Sequence, residues 1–409
     1  MDIEHTAAGV IADLQELAAL TSDEKGAQRV AWTPVWDTAE TWFKEKMIAE
    51  GAEITVDSAH NVWAKFAGET EEAVVIGSHL DSVPDGGWLD GALGVVAGMG
   101  IGKRYGIHGV KPEKTIYIVC WADEEGARFS QSCMGSAAVS GMFTAEKAKN
   151  LMDNEGIRFQ EALQRYGLRA EDFSKARTEF LEKPITAYLE LHIEQAPVLE
   201  QAHKSVACVY GVTGCYRQYL TFTGQQSHSG SPIAMRHDAF LAAAQASLAF
   251  REIGIRHEGY CTVGKVAVEP DVVTIFPGRC IISLDQRSIE GATLDIMAAE
   301  AKQAAEQAAA DNGVTVSFEE IWYTPPTVFD ASLTALCQQA VEAETGEAAT
   351  MYSGPLHDAV EISKVVPSVM MFAMSHNGLS HCKEEDTPLP VLKQAIRAFL
   401  RLADTVVTV

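Results

Sequence analysis

Residues 73–100 read AVVIGSHLDSVPDGGWLDGALGVVAGMG, which is an apolar run, a glycine-rich loop and a run of small residues. This succession predicts a buried strand, a loop and a helix. The loop carries His79, Asp81 and Asp90. Open α/β sheets bind ligands at the carboxyl ends of their strands, where this loop would lie. His79 could bind a transition metal, Asp81 could orient the other ring nitrogen of His79, and Asp90 could bridge two ions.

Four predicted strands end in polar side chains of this kind. The potential ligands that they supply are His79 and Asp90, then Glu124 and Glu125, then His192 and Glu194, and finally His381. Three imidazoles and two carboxylates, one of them bridging, suit two zinc-like ions. Of two adjacent glutamates, one can bind metal while its neighbour acts as general base. Each residue alone could be structural, but four such strand ends in one chain favour a metal site.

The chain has 409 residues, which is too long for one typical domain. Strands alternate with helices in residues 1–211 and again in residues 326–409, which predicts a doubly wound, mainly parallel α/β domain. Between them, residues 212–325 follow the order β-α-β-β-α-β of a ferredoxin-like α+β domain. We therefore expect a compact α+β domain inserted into a discontinuous α/β domain that carries the metal site.

Composition limits the possible partners. The chain has 32 Lys and Arg against 56 Asp and Glu, for a net charge of −24, whereas nucleic acids and anionic membranes are bound by basic patches. No apolar run reaches the length of about 18 residues that spans a membrane, and the first residues do not resemble a signal peptide. The eight cysteines form no CxxC pair, as expected of reduced thiols. We therefore expect a cytoplasmic protein that binds neither nucleic acid nor membrane.

Five segments carry a resemblance to a known family: GSHLDSVPDGGWLDGALGV, ADEEGARF, ELHIEQAPVLE, SHSG and GLSH. They resemble the dinuclear-metal M20 peptidase superfamily over nearly the whole chain. Within it, the chain is similar to the amidase/hydantoinase/carbamoylase branch of N-carbamoyl-L-amino acid hydrolases, allantoate amidohydrolases and β-ureidopropionases. The ELHIEQ segment distinguishes this branch from M20 peptidases, which usually have a carboxylate in place of His192. The resemblance implies a metal-bearing α/β domain whose inserted domain is a lid that forms a homodimer.

The resemblance also implies a role for each candidate residue. The implied metal ligands are His79, Asp90 and His192 for one ion, and Asp90, Glu125 and His381 for the other. Each subunit would carry two divalent ions (Zn, Mn, Co or Ni), and Glu124 would be the general base. The implied substrate contacts are Gln195, His228, Thr274, Arg287 and His357. Gln195 would meet the scissile amide or carbamoyl group, Arg287 would bind a substrate carboxylate, and His228 would stabilise the oxyanion in the site of a second subunit.

Several substrate-facing positions differ from the pattern of the branch. Thr274 stands where an asparagine is usual, and residues 354–359 read GPLHDA in place of GAGHDA. The segment after His228 is one residue short, and residues 375–378 lack the usual charged side chain. Because the metal set is intact, the reaction type is better determined than the substrate. Related enzymes have a cis peptide after the bridging aspartate, so we also expect one at Asp90–Gly91.

The predicted function is hydrolysis of a linear C–N bond other than a peptide bond, in an N-carbamoyl or N-acyl amino acid or a ureido acid. An aminoacylase or dipeptidase with the same metal chemistry is the first alternative, which His192 and Gln195 disfavour. A non-catalytic binding protein on this fold is the second, and it predicts a lost base or ligand, whereas all are present. The side chain of the substrate, the choice between carbamoyl and acyl, and the native metal stay open.

Overall fold

The computed structural model describes residues 2–107 and 109–408. Their strands are β1 (Ser22–Asp23), β2 (Gly26–Ala27), β3 (Glu53–Val56), β4 (Val62–Phe66), β5 (Ala73–His79), β6 (Thr115–Trp121), β7 (Ile185–Ile193), β8 (Val206–Val212), β9 (Gly214–Thr223), β10 (Ser227–His228), β11 (Tyr260–Thr262), β12 (Val266–Glu269), β13 (Ile275–Phe276), β14 (Arg279–Ser288), β15 (Thr315–Thr324), β16 (Thr327–Val328), β17 (Thr350–Ser353) and β18 (Ser368–Ala373).

The helices in the same residues are α1 (Ile3–Thr21), α2 (Pro34–Ala49), α3 (Ala92–Tyr105), α4 (Met134–Ser140), α5 (Ala145–Lys149), α6 (Phe159–Gln164), α7 (Lys175–Leu181), α8 (Val198–Gln201), α9 (Ala239–Arg256), α10 (Gly291–Asp311), α11 (Ala331–Thr345), α12 (Asp358–Ile362) and α13 (Leu389–Thr408). Short 3₁₀ turns occur at Ala170–Asp172, Ile233–Met235 and His376–Gly378.

The chain divides into two compact units. Unit 1 combines the residues up to Tyr210 with those from Phe329 onward, and unit 2 is Gly211–Val328. Unit 2 is continuous in sequence, whereas unit 1 is assembled from two segments.

The larger sheet is mixed and has nine strands. Its order is β16, β8, β18, β7, β5, β6, β4 and β3, with β17 paired to β8. The four central strands, β18, β7, β5 and β6, run parallel. Their carboxyl ends meet at one edge, where β5 ends at His79, β7 carries His192 and β6 leads to Glu124.

The prediction of a mainly parallel sheet is correct only for this centre. Strands β4 and β3 on one side, and β8 on the other, are antiparallel to their neighbours. The direction of such strands is not visible in the sequence, because a strand buried on both faces is apolar throughout whichever way it runs. Strand β8, which is buried along most of its length, is an example.

Helix α3 begins directly after the glycine-rich loop and packs on the central strands. Its glycines permit the close approach, since a Cβ atom on Gly94 would lie 2.5 Å from the carbonyl oxygen of Leu191 and 2.7 Å from Cβ of Ser78. The helix is buried from Ala92 to Gly102. It therefore holds the loop that carries Asp90 against the ends of β5 and β7.

Unit 2 contains an antiparallel five-stranded sheet in the order β11, β14, β9 and β15, with β12 also paired to β14. Its core brings residues of this sheet together with residues of α9 and α10, among them Leu220, Phe222, Phe250, Leu284 and Met297. Within this sheet and its two helices, the order along the chain is strand, helix, strand, strand, helix, strand when β11 and β12 are counted as one interrupted strand, and β10 and β13 form a separate two-stranded sheet. This is the order of a split β-α-β unit.

None of the helices in residues 2–107 and 109–408 combines the length and apolar character that a membrane crossing requires. All eight cysteines lie in the described part of the chain and are free thiols.

Candidate metal centre

His79, the last residue of β5, presents one ring nitrogen to a group of acidic side chains. Its Nδ1 donates a hydrogen bond to the backbone oxygen of Asp81 at 3.0 Å. This fixes the tautomer, so the lone pair of Nε2 points towards Asp90 Oδ1 and Glu124 Oε2, each 3.7 Å away. The side chain is 1% exposed. An imidazole oriented in this way is the usual arrangement of a histidine metal ligand.

Asp81 orients the second ring nitrogen of His79, as expected, and its carboxylate has a further role. It lies 3.6 Å from Nδ1 of His79, and the backbone oxygen of the same residue makes the orienting hydrogen bond. The carboxylate instead accepts the backbone N–H of Glu124 at 3.2 Å and that of Glu125 at 3.0 Å. Asp81 therefore positions both glutamates after β6 as well as His79.

Asp90 turns its two oxygens towards different histidines. Oδ1 lies 3.2 Å from Nε2 of His192 and 3.7 Å from Nε2 of His79, whereas Oδ2 lies 3.4 Å from Nε2 of His381. Two sets of side chains could therefore each hold an ion, with ligand atoms within 4.8 Å of one another. The first ligand group is His79, Asp90 and His192, and the second ligand group is Asp90, Glu125 and His381.

The turn after Asp90 depends on Gly91. This residue has φ 64° and ψ −46°, and Ala92 N donates to the Asp90 backbone oxygen at 2.6 Å, which is a γ-turn. A Cβ atom on Gly91 would also collide with the ring of His79. The expected cis peptide at Asp90–Gly91 is wrong, because in the described residues only Glu269–Pro270 is cis. The left-handed backbone of Gly91 makes the bend instead.

Unpaired polar atoms in this cluster fit a bound cation. Among the described residues, Nε2 of His192 and Oε1 of Glu125 are buried and have no hydrogen-bond partner, although Nδ1 of His192 bonds to the backbone oxygen of Ile193 at 2.9 Å. An unsatisfied buried polar group costs about 1–3 kcal/mol. Imidazole nitrogen and carboxylate oxygen are the donors that zinc-like ions prefer, so the residues present fit such an ion.

The electrostatics of the second ligand group lead to the same conclusion. Burial, together with the charge of Asp90, raises the pKa of Glu125 to about 7. A hydrogen bond to Asp90 raises the pKa of His381 to about 9. Burial raises the pKa of Glu124 well above its ordinary value. Crowded carboxylates retain protons when no cation is near, and a divalent ion would replace those protons.

In a third group of possible ligands, Glu190, His192 and His357, the two members outside the first ligand group already have hydrogen-bond partners. Glu190 accepts hydrogen bonds from Ser78 Oγ, Tyr188 Oη and Ala359 N. His357 shares a hydrogen bond of 3.0 Å with Ser353 Oγ, and burial lowers its pKa well below the ordinary value. His357 is therefore a neutral side chain in the wall of the site.

Glu194, one of the potential ligands at the strand ends, belongs to neither ligand group. Its carboxylate accepts the backbone N–H groups of Val198 at 2.8 Å and Leu199 at 3.0 Å. These are among the N–H groups at the start of a helix that have no partner within it. Glu194 therefore caps α8, and its neighbour Gln195 is the residue that reaches the metal ligands.

Gln195 adopts a left-handed backbone with φ 58° and directs its side chain to the second ligand group. Its Nε2 donates to Asp90 Oδ2 at 2.9 Å and lies 3.3 Å from Nε2 of His381. It also lies 3.1 Å from Ser380 Oγ. The side-chain amide thus contacts two possible ligands of one ion.

Several residues of this centre were not predicted from the sequence. Glu385, which is 1% exposed, accepts the backbone N–H of Asp90 at 3.0 Å. The thiol of Cys133 lies 3.4 Å from Glu124 Oε1. The fully buried Arg29 donates its Nε to the Leu80 backbone oxygen at 2.8 Å. Glu384 and Glu385 look alike in the sequence. Only the burial of Glu385 in the folded protein distinguishes the two residues.

A cavity of about 180 Å³ opens onto the ligands. Its lining residues are Asp90, Glu124, Glu125, Ser132, His192, Gln195, Pro355, Leu356, His357 and His381. Pro355 and Leu356, which depart from the family pattern, are the apolar members of this wall. These two side chains therefore line the same cavity as the ligands.

The other predicted substrate contacts lie in unit 2. His228 is exposed, and its Nδ1 accepts the Gly230 N–H at 3.0 Å, so Nε2 carries the proton in the neutral ring. Thr274 is exposed and its backbone oxygen accepts Ser229 N at 2.8 Å. Arg287 donates Nε to Asp285 Oδ1 at 2.9 Å, an ion pair that holds its guanidinium in place.

Comparison with known proteins agrees with the resemblance seen in the sequence. An allantoate amidohydrolase of Bacillus subtilis is 30% identical over 387 residues, covering 93% of each chain. An N-carbamoyl-L-amino-acid amidohydrolase of Rhizobium meliloti is 32% identical over 85% of this chain and 82% of its own length. The crystal structure of a hydantoinase/carbamoylase family amidase from Burkholderia multivorans superimposes with a TM-score of 0.89 at 31% identity, over 98% of this chain and 97% of that one. Residues 75–405 match the profile of peptidase family M20/M25/M40, and the chain belongs to that family.

Proposed function

We propose that this protein is a metal-dependent amidohydrolase that cleaves a linear C–N bond of an N-carbamoyl amino acid, an N-acyl amino acid or a ureido acid. The observation that carries the proposal is the position of Asp90, whose Oδ1 faces His79 and His192 while its Oδ2 faces His381. A carboxylate shared in this way suits a pair of ions. The activities named for the similar proteins of Bacillus and Rhizobium support the substrate class.

We assign two divalent ions to each subunit, one to each ligand group, with Zn, Mn, Co and Ni as candidates. Ions bound there would supply a water-derived nucleophile near neutral pH and polarise the substrate carbonyl. Glu124 is the base that takes the proton and returns it to the leaving nitrogen. Its buried carboxylate lies 3.7 Å from Nε2 of His79, and its raised pKa suits a group that must both accept and release a proton.

The substrate contacts form two sets. In unit 1, the Gln195 amide is placed to bond the oxygen of the scissile group, and His357 lines the same cavity. In unit 2, the protonated Nε2 of His228 can donate to an oxyanion, and Arg287 with Thr274 would bind a substrate carboxylate. Asp285 already engages Arg287, so a substrate carboxylate would share the guanidinium with it.

We further propose that the protein is a homodimer in which the inserted domain, residues 212–325, is the lid and the dimer contact. His228 would then complete the site of the second subunit. A reducing, cytoplasmic compartment is in keeping with the eight free thiols. The surplus of acidic residues disfavours nucleic-acid partners.

A substrate screen tests the proposal. The protein is stripped of metal and reloaded with Mn²⁺, Zn²⁺ or Co²⁺, and release of ammonia and of amine is measured on N-carbamoyl, ureido and N-acyl acids and on dipeptides. Ammonia release from the carbamoyl or ureido acids is expected, with the stripped protein and the Glu124→Gln variant as inactive controls. Amine release from dipeptides, or from acyl acids when the carbamoyl and ureido acids are not turned over at all, would favour a dipeptidase or aminoacylase. Binding of these acids without turnover under any metal would favour a non-catalytic binding protein.

A further inference from the structure

A buried glutamate outside the predicted ligand set supports the loop that carries Asp90. Oε1 of Glu385 accepts the backbone N–H of Asp90 at 3.0 Å and that of Leu89 at 3.3 Å. These contacts connect positions 295 and 296 residues apart in the chain. Glu385 therefore fixes the backbone at the residue that both ligand groups share.

The other oxygen of Glu385 supports the segment that carries His381. Oε2 accepts Ser380 Oγ at 2.9 Å, and the same hydroxyl lies 3.3 Å from Asp90 Oδ2. Glu385 thus holds the Asp90 loop with one oxygen and the residue before His381 with the other. His381 is the ligand that needs such support most, because its side chain is 50% exposed whereas that of Asp90 is 4% exposed.

The surroundings leave room for a carboxylate at this position. Gly87 packs against it without a side chain, and a Cβ atom there would collide with the Glu385 carboxylate. The fully buried guanidinium of Arg29 attracts the carboxylates of Glu385, Asp81 and Asp90. Hydrogen bonds from Asp90, Leu89 and Ser380 engage both oxygens of Glu385, as burial of such a polar group requires.

We propose that Glu385 is a positioning residue, which keeps Asp90 and His381 at the separation that an ion in the second ligand group requires. The inference rests on the two-ion centre of the proposed function and names a residue on which one of the two ions depends. Loss of a residue that orients a metal ligand typically weakens metal affinity by about 10- to 100-fold. The effect should be larger on the second ligand group, because Glu385 supports both Asp90 and the segment before His381 there. In the first ligand group only the shared Asp90 depends on it, since His79 and His192 come from strands that Glu385 does not touch.

The test measures metal binding independently of activity. Metal-free protein is titrated against a chromophoric chelator, and the ions retained after gel filtration are counted. The wild type should bind two ions per chain, whereas Glu385→Ala should hold one of them about 10- to 100-fold more weakly. Glu385→Gln should lose less, because its oxygen can accept both N–H groups while its amide donates to Ser380. Glu384→Ala, at the exposed neighbouring position, is the matched control and should match the wild type.

Two further variants keep the inference falsifiable. Gly87→Ala should displace the Glu385 carboxylate and weaken binding of the same ion while Glu385 is still present. This variant therefore decides the question if Glu385→Ala does not fold. Adding Glu385→Ala to Glu125→Ala should weaken the remaining ion much less than Glu385→Ala alone weakens the ion of the second ligand group, since only the shared Asp90 is disturbed. Two ions held with wild-type affinity by Glu385→Ala, or by Gly87→Ala in that case, would overturn the inference. Fewer than two ions in the wild type would instead refute the two-ion centre.

Discussion

The side-chain amide nitrogen of Gln195 lies 2.9 Å from Oδ2 of Asp90. This is the oxygen that faces His381, so the amide contacts the second ligand group from the cavity side. An ion held by Asp90 and His381 would compete with this amide for the same carboxylate oxygen. The amide would then turn towards the cavity, where it can meet the carbonyl or carbamoyl oxygen of a substrate.

Replacement of Gln195 by alanine should separate metal binding from substrate binding. We expect Gln195→Ala to bind metal at least as tightly as the wild type, because a competitor for Asp90 is removed. We expect kcat/KM to fall about tenfold or more through loss of a hydrogen bond to the substrate. Chelator titration and steady-state kinetics measure the two effects, with Gln201→Ala at an exposed position of α8 as control. Weaker metal binding with unchanged kinetics would make Gln195 a ligand-positioning residue instead.

The two adjacent glutamates should fail in different ways. Glu124→Gln should keep its metal and fold but lose about 10²-fold or more in kcat, because the proton acceptor is gone. Glu125→Gln should lose an ion, because a neutral amide is a poor replacement for a carboxylate ligand. Metal analysis and turnover on the same preparations distinguish the roles. Near-normal turnover in Glu124→Gln would assign the base to another group.

Metal uptake should depend on pH. In the metal-free protein the pKa of His381 is raised to about 9 and that of Glu125 to about 7, and both bind metal only when deprotonated. Between pH 9 and 7 an ion must displace about one proton from His381, and below pH 7 it must also displace one from Glu125. Affinity in the second ligand group should therefore fall as the pH is lowered, more steeply below 7. Chelator competition at several pH values measures this, and a flat profile would contradict it.

The apolar wall of the cavity should limit the size of the acyl group. Leu356→Ala removes bulk beside the ligands, so hydrolysis of bulky N-acyl substrates should improve relative to N-carbamoyl substrates. One methylene group more or less in a substrate that fills such a pocket changes the ratio of kcat/KM values by about 10-fold or more. The ratio of kcat/KM for the two substrate classes is the measurement, and Leu181→Ala, at an exposed position, is the control. An unchanged ratio would place the specificity determinant elsewhere.

A shared active site would be revealed by complementation. If His228 acts in the site of the second subunit, Glu124→Gln and His228→Ala should each be inactive, while a heterodimer of the two contains one complete site. Dissociation and re-association of the mixed variants should then restore up to about half of the wild-type activity per heterodimer. No recovery would mean that His228 acts within its own chain, or that its hydrogen bond with Gly230 is its only role.

The sequence alone identified the family and the metal-ligand candidates. Motifs around His79, Glu125, His192 and His381 follow apolar runs, and the carboxyl ends of parallel strands converge whatever the details of packing. The structure brings these residues and Asp90 into two groups whose ligand atoms lie within 4.8 Å. The α/β class was also predictable, because strand and helix periodicities are local properties of the sequence.

Only the tertiary structure decided which polar groups support those ligands. Glu384 and Glu385 are equivalent as sequence, yet only Glu385 is buried, and its contact with Leu89 joins residues 296 positions apart. The double role of Asp81 and the antiparallel edges of the large sheet were likewise hidden. Burial, distance and strand direction depend on how remote segments pack, and no local pattern of side chains records that packing.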